Sequence, residues 1–214
     1  MKTRTAYAMI MAGSLLAALP ATSGAAIVVD TYNELTSNNP DASTLSFDGG
    51  TCPYASCTGN FEILQNSIDG QAAKPHGLGE DDWFLTVPNP ESSGFADFAL
   101  GFQATYFGMF WGSVDDYNTI SFFSNGTEIG AFTGDQVGAP ADGNQTSDLT
   151  NFYTDFFFTG GATFDTIRFS STQFAFESAN HSYMAAVPEP GTLGLLGMGL
   201  LGIAGAMRRR CKGS

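Results

Sequence analysis

The segment TISFFSNGTEIGAF, residues 119–132, decides which class of fold the chain adopts. Two short runs rich in Phe, Ile and Thr flank the pair Asn125-Gly126, and such a pair supplies the left-handed residues that a two-residue hairpin turn requires. Short runs of β-branched and aromatic residues favour strands over a helix. The segment therefore predicts a β-hairpin with strands at Thr119–Ser124 and Thr127–Thr133.

Runs of the same kind recur on both sides of this hairpin, separated by clusters of Gly, Asn, Asp and Pro. Between the two ends of the chain no helical periodicity lasts for ten residues, and no repeat of fixed length is visible. This pattern predicts an all-β fold, an antiparallel two-sheet sandwich that is jelly-roll-like. The other predicted strands are Ile27–Tyr32, Thr44–Phe47, Phe61–Leu64, Trp83–Val87, Ala96–Gly108, Phe152–Phe158, Thr163–Ser170, Gln173–Glu177 and Ser182–Ala186.

The N-terminus has the three parts of a secretory signal peptide. Lys2 and Arg4 begin the chain, an apolar run extends from Ala6 to Leu19, and small residues follow Pro20. A signal peptidase requires small side chains just before its cut, so cleavage is expected after Ala25 or Ala26. Residues 1–25 are therefore predicted to be a signal helix that is removed on export.

The C-terminus carries a second membrane signal. The motif Val187-Pro188-Glu189-Pro190 precedes an apolar stretch over residues 191–207 and the basic residues Arg208, Arg209 and Arg210. A helix over the apolar stretch is roughly 24 Å long, somewhat shorter than a hydrocarbon core of about 30 Å, so it spans with help from snorkelling arginines. Arginines stay on the cytoplasmic side, so everything before this single transmembrane helix is expected to lie outside.

This C-terminal arrangement resembles the PEP-CTERM sorting signal of exosortase-dependent bacterial proteins. The resemblance covers residues 187–214 and rests on the order of motif 187–190, Gly-rich apolar helix 191–207 and basic tail 208–214. It implies that a membrane-embedded exosortase cuts near the motif and passes the ectodomain, residues 26–186, to the cell surface or the medium. The alternative is a permanent single-span anchor.

A second resemblance concerns the ectodomain. Trp111-Gly112-Ser113-Val114-Asp115 with Tyr117-Asn118, followed later by Phe174-Ala175-Phe176-Glu177, is similar to one subgroup of PEP-CTERM surface proteins. That subgroup usually continues with an Asp-Asn pair, where this chain has Ser178-Ala179-Asn180. The resemblance implies location and architecture, and little chemistry.

The charge of the ectodomain limits its partners. Between residues 26 and 187 only Lys74 and Arg168 are basic, against twenty acidic residues, which gives a formal charge of −18. Such a surface repels nucleic acid and anionic lipid, so neither is an expected partner of the domain. Acidity suits an exported, soluble domain, and it also suits divalent cations.

Cysteine usage agrees with export. Cys52 and Cys57 are the two cysteines of the ectodomain, and an even count in an oxidising compartment predicts a local disulfide between them. Their spacing fits neither a two-residue redox motif nor a zinc site.

Catalytic motifs are missing from the sequence, so the chain is predicted not to be an enzyme. His76 and His181 are expected to be solvated polar residues. The pairs Asp81-Asp82 and Asp115-Asp116 point to opposite faces of an extended strand, so neither pair alone makes a glycosidase site.

Two binding chemistries stay open. No cofactor is required, but calcium is a candidate because acidic loops supply hard oxygen ligands, although no ligand set can be named. Trp83 and Trp111 are candidates for a sugar platform, with core packing the preferred interpretation for Trp111.

These observations together predict a non-enzymatic, exosortase-sorted protein of the cell surface or extracellular matrix, associated with exopolysaccharide or biofilm. The alternative is a carbohydrate-binding module that depends on calcium or acts without it. An exported hydrolase is a third hypothesis, and it needs a convergent acid pair that the sequence does not reveal.

Overall fold

The computed structural model describes residues 25–187, and most of that segment is β-structure. A single-turn helix, α1, covers Gly134–Val137, and a 3-10 turn covers Asp48–Gly50. The strands are β1 Ala26–Tyr32, β2 Ser43–Leu45, β3 Ser56–Gly59, β4 Glu62–Leu64, β5 Phe84–Val87, β6 Gly94–Gly112, β7 Asn118–Ser124, β8 Thr127–Thr133, β9 Phe152–Thr159, β10 Phe164–Ser171 and β11 Phe176–Ala185. The prediction of an all-β, antiparallel fold is confirmed.

The β-hairpin predicted for residues 119–133 is present. Strands β7 and β8 pair from Thr119–Thr133 to Ser124–Thr127. At the turn Asn125 has φ +50° and Gly126 has φ +79°, both in the left-handed region. This geometry is the reason why Asn-Gly predicts the turn.

Three strands differ from the sequence-based prediction, and one of them is β6, which was predicted to end at Gly108 and continues to Gly112. β11 runs through Phe176–Ala185 as one strand, where two short strands were predicted, because it pairs with β6 along most of its length. β3 was not predicted, since Ser-Cys-Thr-Gly shows no apolar alternation. Its pairing with residues 96–99 of β6 holds it in the sheet.

The long strand β6 makes one sheet out of what the sequence predicted as two. Its first half pairs with β3 and β10, and β10 continues to β7 and β8. Its second half pairs with β9 on one side and β11 on the other. β9 then pairs with β1, and β11 pairs with β2 and with β5, which pairs with β4. The ladder is thus one 11-stranded antiparallel sheet. Gly101, with φ +83°, lies between the halves and allows a backbone conformation that other residues rarely adopt.

The two halves of this sheet face each other across an aromatic core. Phe122 of β7 lies 4.9 Å from Phe156 of β9 between ring centroids, and Phe169 of β10 lies 5.0 Å from Phe176 of β11. All four side chains are fully buried. Each contributes on the order of 2 kcal/mol through burial, which is why the aromatic content of the segment goes into packing.

Both ends of the described chain lie at one end of the sheet, which we call the terminal end. Ala26 at the start of β1 pairs with Thr159, and Ala185 at the end of β11 pairs with Ala104. The Ala186 N–H donates to the Gln103 carbonyl at 2.7 Å. Eight residues further along β6, about 26 Å of extended strand, Gly112 marks the opposite end.

Within residues 25–187 no helix has the length and apolarity needed to cross a membrane. The predicted signal helix, apart from Ala25, and the predicted transmembrane helix over 191–207 lie outside the described residues.

Candidate functional site

A pocket of about 400 Å³ lies opposite the terminal end, where β6 leaves the sheet and β11 enters it. Four acidic side chains line it: Asp69, Asp115, Asp142 and Glu177. We call it the acidic pocket. Its walls come from the segment 67–73, from the loop 142–145 and from the ends of the two paired strands.

Glu177 is the buried acid of the pocket, with 3% of its surface exposed. It stands in β11 directly opposite Gly112 of β6. One carboxyl oxygen accepts the Ala73 N–H at 2.9 Å, and the other lies 3.1 Å from the Ser113 hydroxyl. Burial raises the pKa of Glu177 to about 8, although the hydrogen bonds from Ala73 and Ser113 act in the opposite direction. The side chain is therefore mostly protonated at neutral pH.

Asp115 is the second buried acid, in the turn that follows β6. Burial raises its pKa, the hydrogen bond to Tyr117 lowers it, and Asp116 and Asp142 raise it further. A single β-bridge joins Asp115 to Asp142, so the loop 142–145 is held against the turn that follows β6.

Gly143 explains how the loop comes so close to Asp115. Its φ is +67°, and a Cβ at this position would overlap the Asp115 carboxylate. Its N–H donates to the Val114 carbonyl at 3.0 Å. A glycine is therefore required both for the backbone conformation and for the close approach.

Tyr117 and Phe174 supply the aromatic part of the lining. The Tyr117 hydroxyl donates to the Phe174 carbonyl at 3.3 Å. Burial, and then the hydrogen bond with Asp115, raise the pKa of the phenol. Tyr117 therefore stays neutral, and it adds an apolar surface to a pocket of hydrogen-bonding groups.

The buried amide of Asn151 positions the pocket loop. Its Oδ1 accepts the N–H groups of His76 at 3.0 Å and Ser113 at 2.9 Å. Its Nδ2 donates to the carbonyls of Asn144 and Ser147, both at 3.0 Å. Two of these bonds hold the loop 142–147, and the other two hold His76 and Ser113, so Asn151 fixes this loop to the end of β6.

The acids of the pocket have no basic partner in the described chain. The Lys74 ammonium donates to the carbonyls of Gln65 and Glu80, at 3.0 and 2.8 Å. Arg168 makes a two-pronged pair with Asp97, at 2.7 and 2.8 Å, on the other half of the sheet. The pocket thus offers negative and neutral oxygen acceptors to a ligand.

The described residues offer no set of ligands for the calcium ion that the sequence suggested as a candidate. Among residues 25–187, no three His, Cys, Asp or Glu side chains are grouped in a way that could hold a metal ion. Calcium binding stays a prediction.

The predicted site residues lie away from the acidic pocket. Cys52 and Cys57 are joined by a disulfide, and the loop between them carries Tyr54 into the core. Val187 is exposed at the end of the described chain. Pro188, Glu189 and Pro190, and the cluster Arg208, Arg209 and Arg210, lie outside the described residues.

The prediction that both histidines are solvated is wrong for His181. This side chain is fully buried, with its Nδ1 2.5 Å from the Tyr54 hydroxyl and its Nε2 2.9 Å from the Ser178 hydroxyl. Burial lowers its pKa to about 3, so it is a neutral part of the core. His76 is exposed, 3.7 Å from Asp148. Its position agrees with the prediction.

The tryptophans do not form a common surface. Trp111 is fully buried and stacks on Phe176 with centroids 4.3 Å apart, as the preferred interpretation had it. Trp83 is partly buried and packs against the core and Gly50.

The position of Glu177 and Asp115 in one pocket was not predicted from the sequence. Neither adjacent pair of aspartates was expected to form a site alone, and no partner on a distant strand was predicted. The signal was present, since Trp111–Asp115 and Phe174–Glu177 are the segments that carry the subgroup resemblance. Antiparallel pairing of β6 with β11 places these segments side by side, with Ser178 opposite Trp111.

Comparisons with known proteins bear on the C-terminus. A protein-family model described as the PEP-CTERM protein-sorting motif matches residues 186–210. No curated protein sequence matches the chain. The solved structure "CpGH89CBM32-6 produced by Clostridium perfringens" aligns with 11% identity and a TM-score of 0.33, over 60% of this chain and 96% of that chain. A likeness this distant carries no argument about the fold or the function. The chain thus carries a PEP-CTERM protein-sorting motif at residues 186–210, and this motif implies export, a membrane-anchored C-terminal sorting signal and processing by an exosortase.

Proposed function

We propose that this protein is a non-enzymatic component of the cell surface or extracellular matrix, delivered by an exosortase and associated with exopolysaccharide or biofilm. The PEP-CTERM motif at residues 186–210 carries the proposal. The signal peptide over residues 1–25 starts export, and a signal peptidase removes it. The folded domain, a jelly-roll-like sandwich built from one continuous sheet, is then the part that remains outside.

Mass spectrometry of both termini of the mature protein tests this delivery. We expect a product that begins near Ala26 and ends near Pro188, recovered from the cell envelope or the medium. A strain without exosortase should retain the tail on the membrane-bound protein. Recovery of the intact chain, with Met1 and Ser214 still attached, from the cytosol would refute the proposal.

A second candidate function is carbohydrate binding at the acidic pocket. The favouring observation is the composition of its lining: buried Glu177 beside Asp115, with Tyr117 and Phe174 on the wall. Sugar hydroxyls donate to carboxylates, and a protonated Glu177 can donate in return. The apolar face of a sugar ring packs on aromatic side chains. A pocket of this composition suits a neutral or cationic sugar, and repels an acidic one.

A glycan array tests the second candidate, with the mature protein applied in calcium and in chelator. We expect binding that Asp142→Asn weakens and that Glu91→Gln leaves unchanged, because Glu91 is also exposed but lies outside the pocket. Signal lost in chelator would assign a role to calcium. Equal binding by both variants would place the sugar site elsewhere.

The absence of catalysis is part of the proposal and has its own test. Glu177 and Asp115 line the same pocket, and glycosidases use two carboxyl groups, so the hydrolase hypothesis predicts release of reducing ends from bound polysaccharide. We expect no release. Release that Glu177→Gln abolishes, in a variant that still folds, would make the protein a hydrolase.

A further inference from the structure

We propose that the terminal end of the domain rests on the lipid surface before the tail is cut, with Phe102 and Val187 in the headgroup layer. This inference rests on the proposed function, because it takes the sorting tail to be inserted in the membrane. The occupant of the surface is the lipid itself.

The length of chain between the domain and the membrane supports the contact. Val187 is the last described residue, and the predicted transmembrane helix begins at residue 191. Four residues, even fully extended, reach no more than about 14 Å. The headgroup layer takes up about 5 to 8 Å of that distance. At most about 6 to 9 Å then remains between Val187 and the headgroup layer, which holds the terminal end of the domain close to the lipid surface.

The last residues of β11 cannot easily leave the sheet to lengthen the segment between the domain and the membrane. The Ala186 N–H is bonded to the Gln103 carbonyl, and Ala185 is paired with Ala104. Gln103 is itself held by Asp165, at 2.7 Å. The chain thus stays in the sheet up to the residue before Val187.

The N-terminus gives an independent reason for the same orientation. Before cleavage the signal peptide is also in the membrane, and Ala26 stands in the same row of the sheet as Ala185. Two membrane segments that enter a domain at one end fix that end toward the bilayer.

The terminal end exposes apolar side chains, and its carboxylate Asp165 accepts hydrogen bonds from Gln103 and the Asn125 N–H. Phe102 is 38% exposed and packs on Tyr183 with centroids 5.1 Å apart, and Val187 is 84% exposed. Ile129, 38% exposed, lines a groove with Ala26 at the same end. The acidic pocket lies at the other end of β6, so its charges face away from the membrane.

Quenching of tryptophan fluorescence by brominated lipid tests the proposal on the full-length chain in phosphatidylcholine vesicles. F102W is the reporter, and F95W is its matched control. Phe95 is on the same strand and 45% exposed, but it lies toward the pocket side, where Gly94 pairs with Ser171 and Ser171 with Asn118. L200W reports whether the tail is inserted. The unsubstituted chain gives the background from Trp83 and Trp111.

We expect brominated lipid to quench F102W and L200W, and to leave F95W at background. If L200W is quenched and F102W is not, the lipid contact is overturned and the sorting proposal stays intact. Failure to quench L200W would refute membrane insertion, and this inference with it. Quenching of F102W only when exosortase is present in the vesicles would show that a protein is needed to bring this surface to the lipid, and it would overturn the direct contact proposed here. Unchanged melting temperatures of F102W and F95W show that both variants fold.

Discussion

Replacing Glu177 by glutamine should remove a large pH dependence from the stability of the domain. The carboxyl group has an ordinary pKa of 4.5 in the unfolded chain and a pKa of about 8 in the folded domain. Below pH 4.5 it is protonated in both states, so the stability it contributes is fully present there. As the pH rises toward 8 only the unfolded chain releases the proton, and the free energy of unfolding falls.

The magnitude follows from the interval between the two pKa values. One pH unit corresponds to about 1.4 kcal/mol, so the loss across the interval is on the order of 5 kcal/mol. That is a large share of the 5 to 15 kcal/mol that typically holds a domain folded. Glutamine cannot ionise, and its amide can accept from the Ala73 N–H and donate to the Ser113 hydroxyl. The variant should therefore lose this slope and keep the fold.

Urea unfolding of the mature protein at pH 5 and pH 8.5 measures the effect. Trp111 is a suitable fluorescence probe, because it stacks on Phe176, the neighbour of Glu177. We expect the parent protein to lose on the order of 5 kcal/mol more than Glu177→Gln between the two pH values. Contributions from other titrating groups, including His181, are common to both proteins and cancel in this difference. Glu91→Gln, at an exposed position, should behave as the parent. Equal losses in all three proteins would show that Glu177 is ionised in the folded domain.

Three further substitutions test other parts of the structure. Tyr54→Phe leaves the Nδ1 of buried His181 without its partner, and thermal unfolding should show a loss of about 1 to 3 kcal/mol; an unchanged melting temperature would contradict the bond. In Gly126→Ala the added Cβ meets no neighbouring atom, so the free energy of unfolding measured in urea should fall only by the strain of a left-handed alanine, about 1 kcal/mol. Gly143→Ala must displace Asp115, so any glycan binding at the acidic pocket should be lost while the far-ultraviolet circular dichroism is kept. Undiminished binding would exclude this pocket as the site.

Local patterns in the sequence were sufficient for the class of fold and for most strands. The Asn125-Gly126 turn was predictable because it depends only on backbone conformations that two adjacent residues favour. β3 was not predictable, because its place depends on pairing with β6 rather than on its own residues. The continuity of the sheet was hidden for a similar reason. It depends on one strand whose two halves have different neighbours.

The candidate site was less predictable than the fold. The sorting motif depends on residues in order along the chain, so the sequence displayed it directly. The acidic pocket depends on register, since Glu177 meets Ser113 only through the pairing of β11 with β6. The burial of His181 could not be predicted either. Its neighbours in the strand are small and polar, so the sequence does not show whether its side chain lies on the buried or the exposed face of the sheet.

On the export route proposed above, the place of β11 links the completion of folding to the arrival of the C-terminal tail at the membrane. β11 lies between β6 on one side and β5 and β2 on the other, so the second half of the sheet has a gap until this strand enters. It is also the last strand before the sorting motif, and residues 176–185 leave the export channel after the rest of the domain. On this proposed route the second half of the sheet stays incomplete during nearly all of translocation. The domain completes its folding only as the sorting tail reaches the membrane.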